Sequence, residues 1–272
     1  MSRTLVFVVV VVVALLAGVY AGNGGLANRA VAETAPAEAP VGATLLPGLG
    51  RHEFKITTRN SEAQRWFDQA LMLTFGFNHD AAERSYLKAA QLDPDCAMCW
   101  WGASLVLGPH VNATMDPADA PKAWQRLQRA QALASRATPR GQAFIRALAA
   151  RYAANPPEDS RALDEAYAQA TGQLVAERPD DLDAKVFHAE ALMDLQPWDY
   201  YDEKLQPKGN TARIVSLLED VIAKSPDHAG ALHLYVHAVE ASADPQLGVV
   251  AADRLRSLIP GSGHLVHMPA HI

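Results

Sequence analysis

Leu92-Asp93-Pro94-Asp95, Arg178-Pro179-Asp180, Ser225-Pro226-Asp227 and Ile259-Pro260-Gly261 recur along the chain, each a proline followed by Asp or Gly. Proline cannot continue a helix and Asp readily opens one, so each stretch ends one helix and starts the next. Between them, from about Ser61, small and apolar residues return at three- and four-residue spacing, the period of a helix with one buried face. Pro260 follows Pro226 by 34 positions, and Ala63–Cys96 is also 34 residues long. A helix pair of that size cannot bury its apolar face alone, so the expectation is an all-α stack of helix-turn-helix repeats with one continuous core.

In the first unit Trp66 lies near the start, with the small Ala82 and Ala89 where paired helices would cross. This pattern resembles the tetratricopeptide repeat family over about residues 61–272, and the resemblance implies a right-handed superhelical solenoid. The repeats are placed at Ala63–Cys96, Ala97–Ala137, Thr138–Asp181, Leu182–His228 and Ala229–Ser262, with a sixth beginning at Gly263. Three exceed the ideal length, and the excess sits in loops 108–121, 155–159 and 196–210. Phe77-Asn78-His79-Asp80-Ala81-Ala82, the run from Leu92 to Gly102, and His264–Ile272 are together similar to a bacterial exported tetratricopeptide family of poorly defined role. Members of that family continue past the last stretch. The expectation is therefore a truncated sixth repeat whose open C-terminal end associates with another molecule.

The N-terminal segment has a different character. Arg3 precedes an apolar run from Leu5 to Ala21, the pattern of a secretory signal. Ala30-Val31-Ala32 and Val19-Tyr20-Ala21 are candidate cleavage sites, and an uncleaved anchor is the alternative for residues 1–32. Residues 33–60 read as an Ala/Pro-rich tether and lead-in. The remainder is thereby expected outside the cytoplasm, touching a membrane only through that first segment. Of the 272 residues, 49% are hydrophobic and 20% charged, which is a globular composition. A net charge of −6 without a basic cluster argues against a nucleic-acid partner.

The resemblance places the ligand groove on the concave face, at the second, fifth and ninth positions of each repeat's first helix. Those positions are Met98 and Trp101 in the second repeat, and Asp183, Val186 and Glu190 in the fourth. The fifth contributes His233 and His237, and the sixth His264, His267 and His271. An exported scaffold holding a protein segment in this groove is the first reading. The second follows from His-x-x-x-His at equivalent places in two successive helices, which sets each pair of rings on one face. Imidazole suits zinc, copper, iron and nickel, so His233, His237, His267 and His271 are candidate ligands of one metal or a pair, with His264 and Glu190 at the margins.

Cys96-Ala97-Met98-Cys99 admits three readings: helix packing, a disulfide, or a metal or redox pair. His79 reads as a turn or capping residue and His188 as a packed histidine, whereas His52, His110 and His228 fall in the tether or loops. Trp198, Asp199, Tyr200 and Tyr201 either pack over the helices or overhang the groove. No phosphate loop, Gly-x-Ser-x-Gly elbow or His-Glu-x-x-His is present, and the balance is against an enzyme.

Overall fold

The computed structural model describes residues 42–272, and the described chain is all-helical, with eleven α-helices and no strand. The helices are α1 (Ser61–Phe75), α2 (His79–Leu92), α3 (Ala97–Leu105), α4 (Ala120–Ala132), α5 (Pro139–Leu148) and α6 (Arg161–Glu177). They continue as α7 (Leu182–Asp194), α8 (Thr211–Lys224), α9 (Ala229–Val239), α10 (Val249–Leu258) and α11 (Gly263–His267). Each packs against the next in sequence, and α1, α3, α5, α7 and α9 also make contacts among themselves. The segment expected to be a signal or anchor, 1–32, and the first part of the tether lie outside the described residues.

The caps explain where the helices begin. Asn60 Oδ1 accepts from the Glu62 and Ala63 N–H groups, Thr138 Oγ1 from Gly141 N–H and Asp181 Oδ1 from Ala184 N–H. A side chain that satisfies an orphan N–H of the first turn is typically worth about 1 kcal/mol. Two glycines set how closely the helices approach. A Cβ on Gly102 would lie 2.2 Å from the Tyr86 ring, so only glycine lets α3 settle on α2. Likewise a Cβ on Gly230 would lie 2.6 Å from the Phe75 ring, so glycine there brings the start of α9 against the end of α1.

The reading of residues 33–60 as a tether and lead-in needs correction over its second half. Leu49, Phe54 and Ile56 are buried, and this stretch runs among the helices. Phe54 meets Phe67 of α1, Trp101 of α3 and Phe144 of α5, while the Arg140 guanidinium stands 3.7 Å over its ring. Burying such a side chain stabilises by roughly 1.5–3 kcal/mol. The backbone is held too: Gln69 accepts from Leu46 N–H and donates to the Thr44 carbonyl, and Gly261 N–H donates to the Gly48 carbonyl. Ala/Pro/Gly composition suggested flexibility only as far as Leu49; Phe54 and Ile56, in the lead-in beyond it, dock the segment.

Candidate metal centre

Helix α9 carries His233 and His237 one turn apart, and both rings are buried. His233 Nδ1–H donates to the Phe75 carbonyl at 2.6 Å, one of the acceptors left over at the end of α1. A carbonyl can only accept, so the neutral His233 ring keeps its lone pair on Nε2. His237 Nδ1 lies 3.0 Å from Glu240 Oε1 at the end of the same helix. With that proton donated to the carboxylate, the Nε2 of a neutral His237 also presents a lone pair. That Nε2 is buried and has no hydrogen-bond partner.

The turn Ile259–Ser262 and the short α11 bring the third ring. His264 Nε2 sits 2.8 Å from His233 Nε2, and one ring nitrogen from each of His233, His237 and His264 lies within 4.8 Å of the others. Two nitrogens on a tetrahedral ion at about 2.0–2.1 Å stand about 3.4 Å apart, so small ring movements reach that geometry. Burial, then the neighbouring His237 and His264, holds His233 well below the usual histidine range. Burial also pushes His264 down to about 4, helped by His237, His267 and His271. Burial alone would raise the Glu240 carboxyl; hydrogen bonds from His237 and His271 outweigh it and lower it.

The four imidazoles expected to form one patch, His233, His237, His271 and His267, follow one another at ring distances of 4.8, 5.1 and 4.8 Å, while the tight trio is completed by His264. His271 stands edge-on to His237 at 5.1 Å, and Glu240 bridges the two rings, with Oε2 2.5 Å from His271 Nδ1. His267 is exposed, with its Nε2 3.0 Å from His271 Nε2. The cause is Pro269: it lacks the N–H that a helix needs, and after His267 the chain tightens into a 3-10 turn, Met268–His271. His264 rather than His267 therefore faces α9.

Two aromatic residues brace this cluster, Phe77 and Trp198, and the sequence singles out only Trp198. Phe77 and Trp198 both have left-handed backbones, with φ of 54° and 62°, a conformation non-glycine residues adopt at a cost. The Phe77 ring lies 4.4 Å from His233 and 4.3 Å from His110, and the Trp198 indole stands edge-on to His237 at 5.1 Å. The 196–210 loop thus overhangs the histidines at Trp198, whereas Tyr200 is buried and Tyr201 Oη donates to the Ala238 carbonyl. His79 packs on His110, and burial lowers the two to about 3 and about 4.

Other predicted groove residues lie elsewhere. Met98 and Trp101 are buried in the aromatic core, with Trp101 against Phe54, Phe144 and Phe187. Asp183 is buried and accepts from His52 Nε2, His228 Nε2 and Arg140. Glu190, on the last turns of α7, is pushed up to about 8 by burial and the Asp194 charge. Cys96 and Cys99 are joined in a disulfide, with Cys96 at the N-cap of α3. His188 is packed as expected and contacts Thr171 Oγ1 at 3.1 Å. His228, expected in a loop, instead caps α9: its Nδ1 accepts from Ala231 N–H. A scan of protein-family models returns no match to this chain, and neither does a search of curated proteins.

Proposed function

We propose that this protein binds a transition-metal ion on His233, His237 and His264. The observation that carries the reading is the buried, unpartnered Nε2 of His237, aimed at two other imidazole nitrogens while Nδ1 of both α9 histidines is engaged by a fixed acceptor. Leaving such a group unsatisfied costs about 1–3 kcal/mol, and a cation removes that cost. Phe75 and Glu240 hold the rings in the metal-ready tautomer, the usual role of groups just outside a metal's ligands. Three neutral imidazoles suit zinc, copper or nickel and leave a fourth position for water or another ligand.

The five helix pairs and the start of a sixth fit a tetratricopeptide-like, right-handed solenoid, which we take as the architecture carrying this centre. We also read the chain as exported, on Arg3 and the run Leu5–Ala21, a compartment that suits the Cys96–Cys99 disulfide. The scaffold reading has less support, because the chain's own Phe54 and His52 occupy the inner positions around Trp101 and Asp183. Elemental analysis of untagged protein, with thermal melts in zinc, copper and nickel, tests the metal reading. The expected result is about one equivalent per chain and a raised Tm. No bound metal and no shift with any of the three ions would overturn it.

A further inference from the structure

The three loops that exceed the 34-residue repeat length converge on one place. A cavity of 690 Å³ lies among Pro109–Ala120, Arg151–Asp164 and Asp194–Trp198, so residues from all three excess loops form its walls. Insertions into repeat proteins commonly gather on one face and build the binding surface there. The volume falls within the range of small-molecule sites, about 300–1,000 Å³.

The chemistry of the lining points to a class of ligand. Four carboxylates, Glu158, Asp159, Asp164 and Asp194, face one guanidinium, Arg151. His110, also in the wall, adds no positive charge near neutral pH, since burial pushes it down to about 4. Asp194 and Arg151 form an ion pair with side chains only 3% and 4% exposed, Oδ2 accepting from Arg151 Nη2 at 2.5 Å. The other oxygen, Asp194 Oδ1, is buried without a hydrogen-bond partner, as is Arg151 Nε. An open acceptor calls for a donor and an open donor for an acceptor, and the excess of carboxylates decides for a cation. The remaining lining is mostly apolar, Asn112, Thr114 and Ser160 apart, and includes the aromatic Trp198 and Tyr152.

We propose that this cavity binds a small organic cation, a protonated primary amine on an apolar body, whose N–H donates to Asp194 Oδ1. The site is separate from the metal centre and does not depend on it, although Trp198 forms part of both walls.

Titration calorimetry of the full chain in EDTA, at pH 7.5, tests this with three probes of one shape. These are phenethylamine, 2-phenylethanol and 3-phenylpropionate. The amine is expected to bind at least about tenfold tighter than the alcohol, the margin of a charge-assisted hydrogen bond, and the anion more weakly still. Asp194→Asn should cost the amine about tenfold as well. Because that change also unpairs Arg151 and could disturb folding, Trp198→Ala is the second variant. It should weaken the amine severalfold while the helical circular dichroism is unchanged. Equal binding of amine and alcohol, preference for the anion, or no binding of the amine at millimolar concentration would each overturn the proposal.

Discussion

The two buried histidine clusters, His52–Asp183–His228 and His233–His237–His264, are alike in composition of a metal site and opposite in their protons. In the first, His228 Nδ1 accepts from Ala231 N–H, so its proton is on Nε2 and is donated to Asp183 Oδ1 at 3.2 Å. His52 Nε2 meets the same oxygen at 2.8 Å, and Arg140 Nη2 donates to Oδ2 at 2.7 Å. Both oxygens are thus occupied by donors, and a fixed cation stands beside them. In the second cluster the fixed acceptors, Phe75 and Glu240, take the Nδ1 protons of the two α9 rings and turn their lone pairs inward; the one inward donor is His264 Nε2–H, held by His233 Nε2 at 2.8 Å, a proton that a metal would displace. The comparison teaches that residue types and distances alone do not make a metal site. The direction of each ring's second hydrogen bond decides whether a donor or a lone pair faces the centre.

Asp183→Ala should break the first cluster with the largest effect. It leaves the Arg140 guanidinium with Asp181 alone and strips two histidines of their acceptor. Removing one partner of a buried charge pair costs about 3–5 kcal/mol, read as a lower urea midpoint. The metal-induced rise in Tm should persist in whatever fraction remains folded. Loss of metal binding in a folded Asp183→Ala protein would mean that the two clusters are not independent.

The second cluster is tested by His237→Ala against His228→Ala. At a free metal concentration about 100 times Kd, binding adds about 2.7 kcal/mol to stability. His237→Ala should abolish that increment. His228→Ala should lower the starting Tm, because a helix cap is lost, yet keep the increment. If both variants respond to metal as the wild type does, the ligands are misassigned.

Glu240→Ala sharpens the argument about ring direction. Glu240 touches two histidines and no proposed ligand atom, so its loss frees the tautomer of His237 rather than removing a ligand. Metal affinity should fall about tenfold to a hundredfold, measured by competition with a chelator of known affinity. Glu240→Gln retains one carbonyl acceptor and should recover part of the loss. An unchanged affinity in Glu240→Ala would show that ring orientation is held by packing alone.

Much of the helical layout was legible from residues whose effect is local. The expected repeats at Ala97, Leu182, Ala229 and Gly263 coincide with the first residues of α3, α7, α9 and α11, because caps and prolines act on the adjoining turn. The pair His233 and His237 was legible for the same reason. Glu240 was not, since a group that orients a ligand follows no spacing rule of its own. His264 was placed at the margin because a groove rule based on helix positions assumed that the last helix runs on past Pro269. The destination of His52 was beyond reach: Asp183 is 131 residues away, and only the docking of Phe54 and Ile56 carries the lead-in segment there. The left-handed backbones of Phe77 and Trp198 were equally hidden, because glycine or asparagine is the usual sign of such a turn.

The smallest effect expected is the pH dependence of the first cluster, measured in EDTA so that metal plays no part. His52 faces Asp183, Asp68, Arg140 and the ring of His228. Burial opposes a charge on His52, but the hydrogen bond and charge of Asp183 outweigh it, and the ring is raised above its ordinary value of 6.5. Burial likewise opposes a charge on Asp183, yet His228 and His52 hold its carboxyl below its ordinary value. A raised histidine contributes stability that is complete below 6.5 and is lost as pH climbs through its folded value. A lowered carboxyl contributes stability that is complete above its unfolded value and is lost as pH falls through its folded one. The two conditions overlap between about pH 4 and 6.5. The gap in unfolding free energy between wild type and His52→Asn should therefore be widest near pH 5–6 and narrow by pH 8. Some gap should survive there, because neutral His52 still donates from Nε2 to Asp183. Urea titrations of both proteins at pH 5, 6, 7 and 8 measure it. A gap that stays constant or widens toward pH 8 would mean that His52 is held as a neutral donor throughout, and that the charge on the first cluster resides on Arg140 alone.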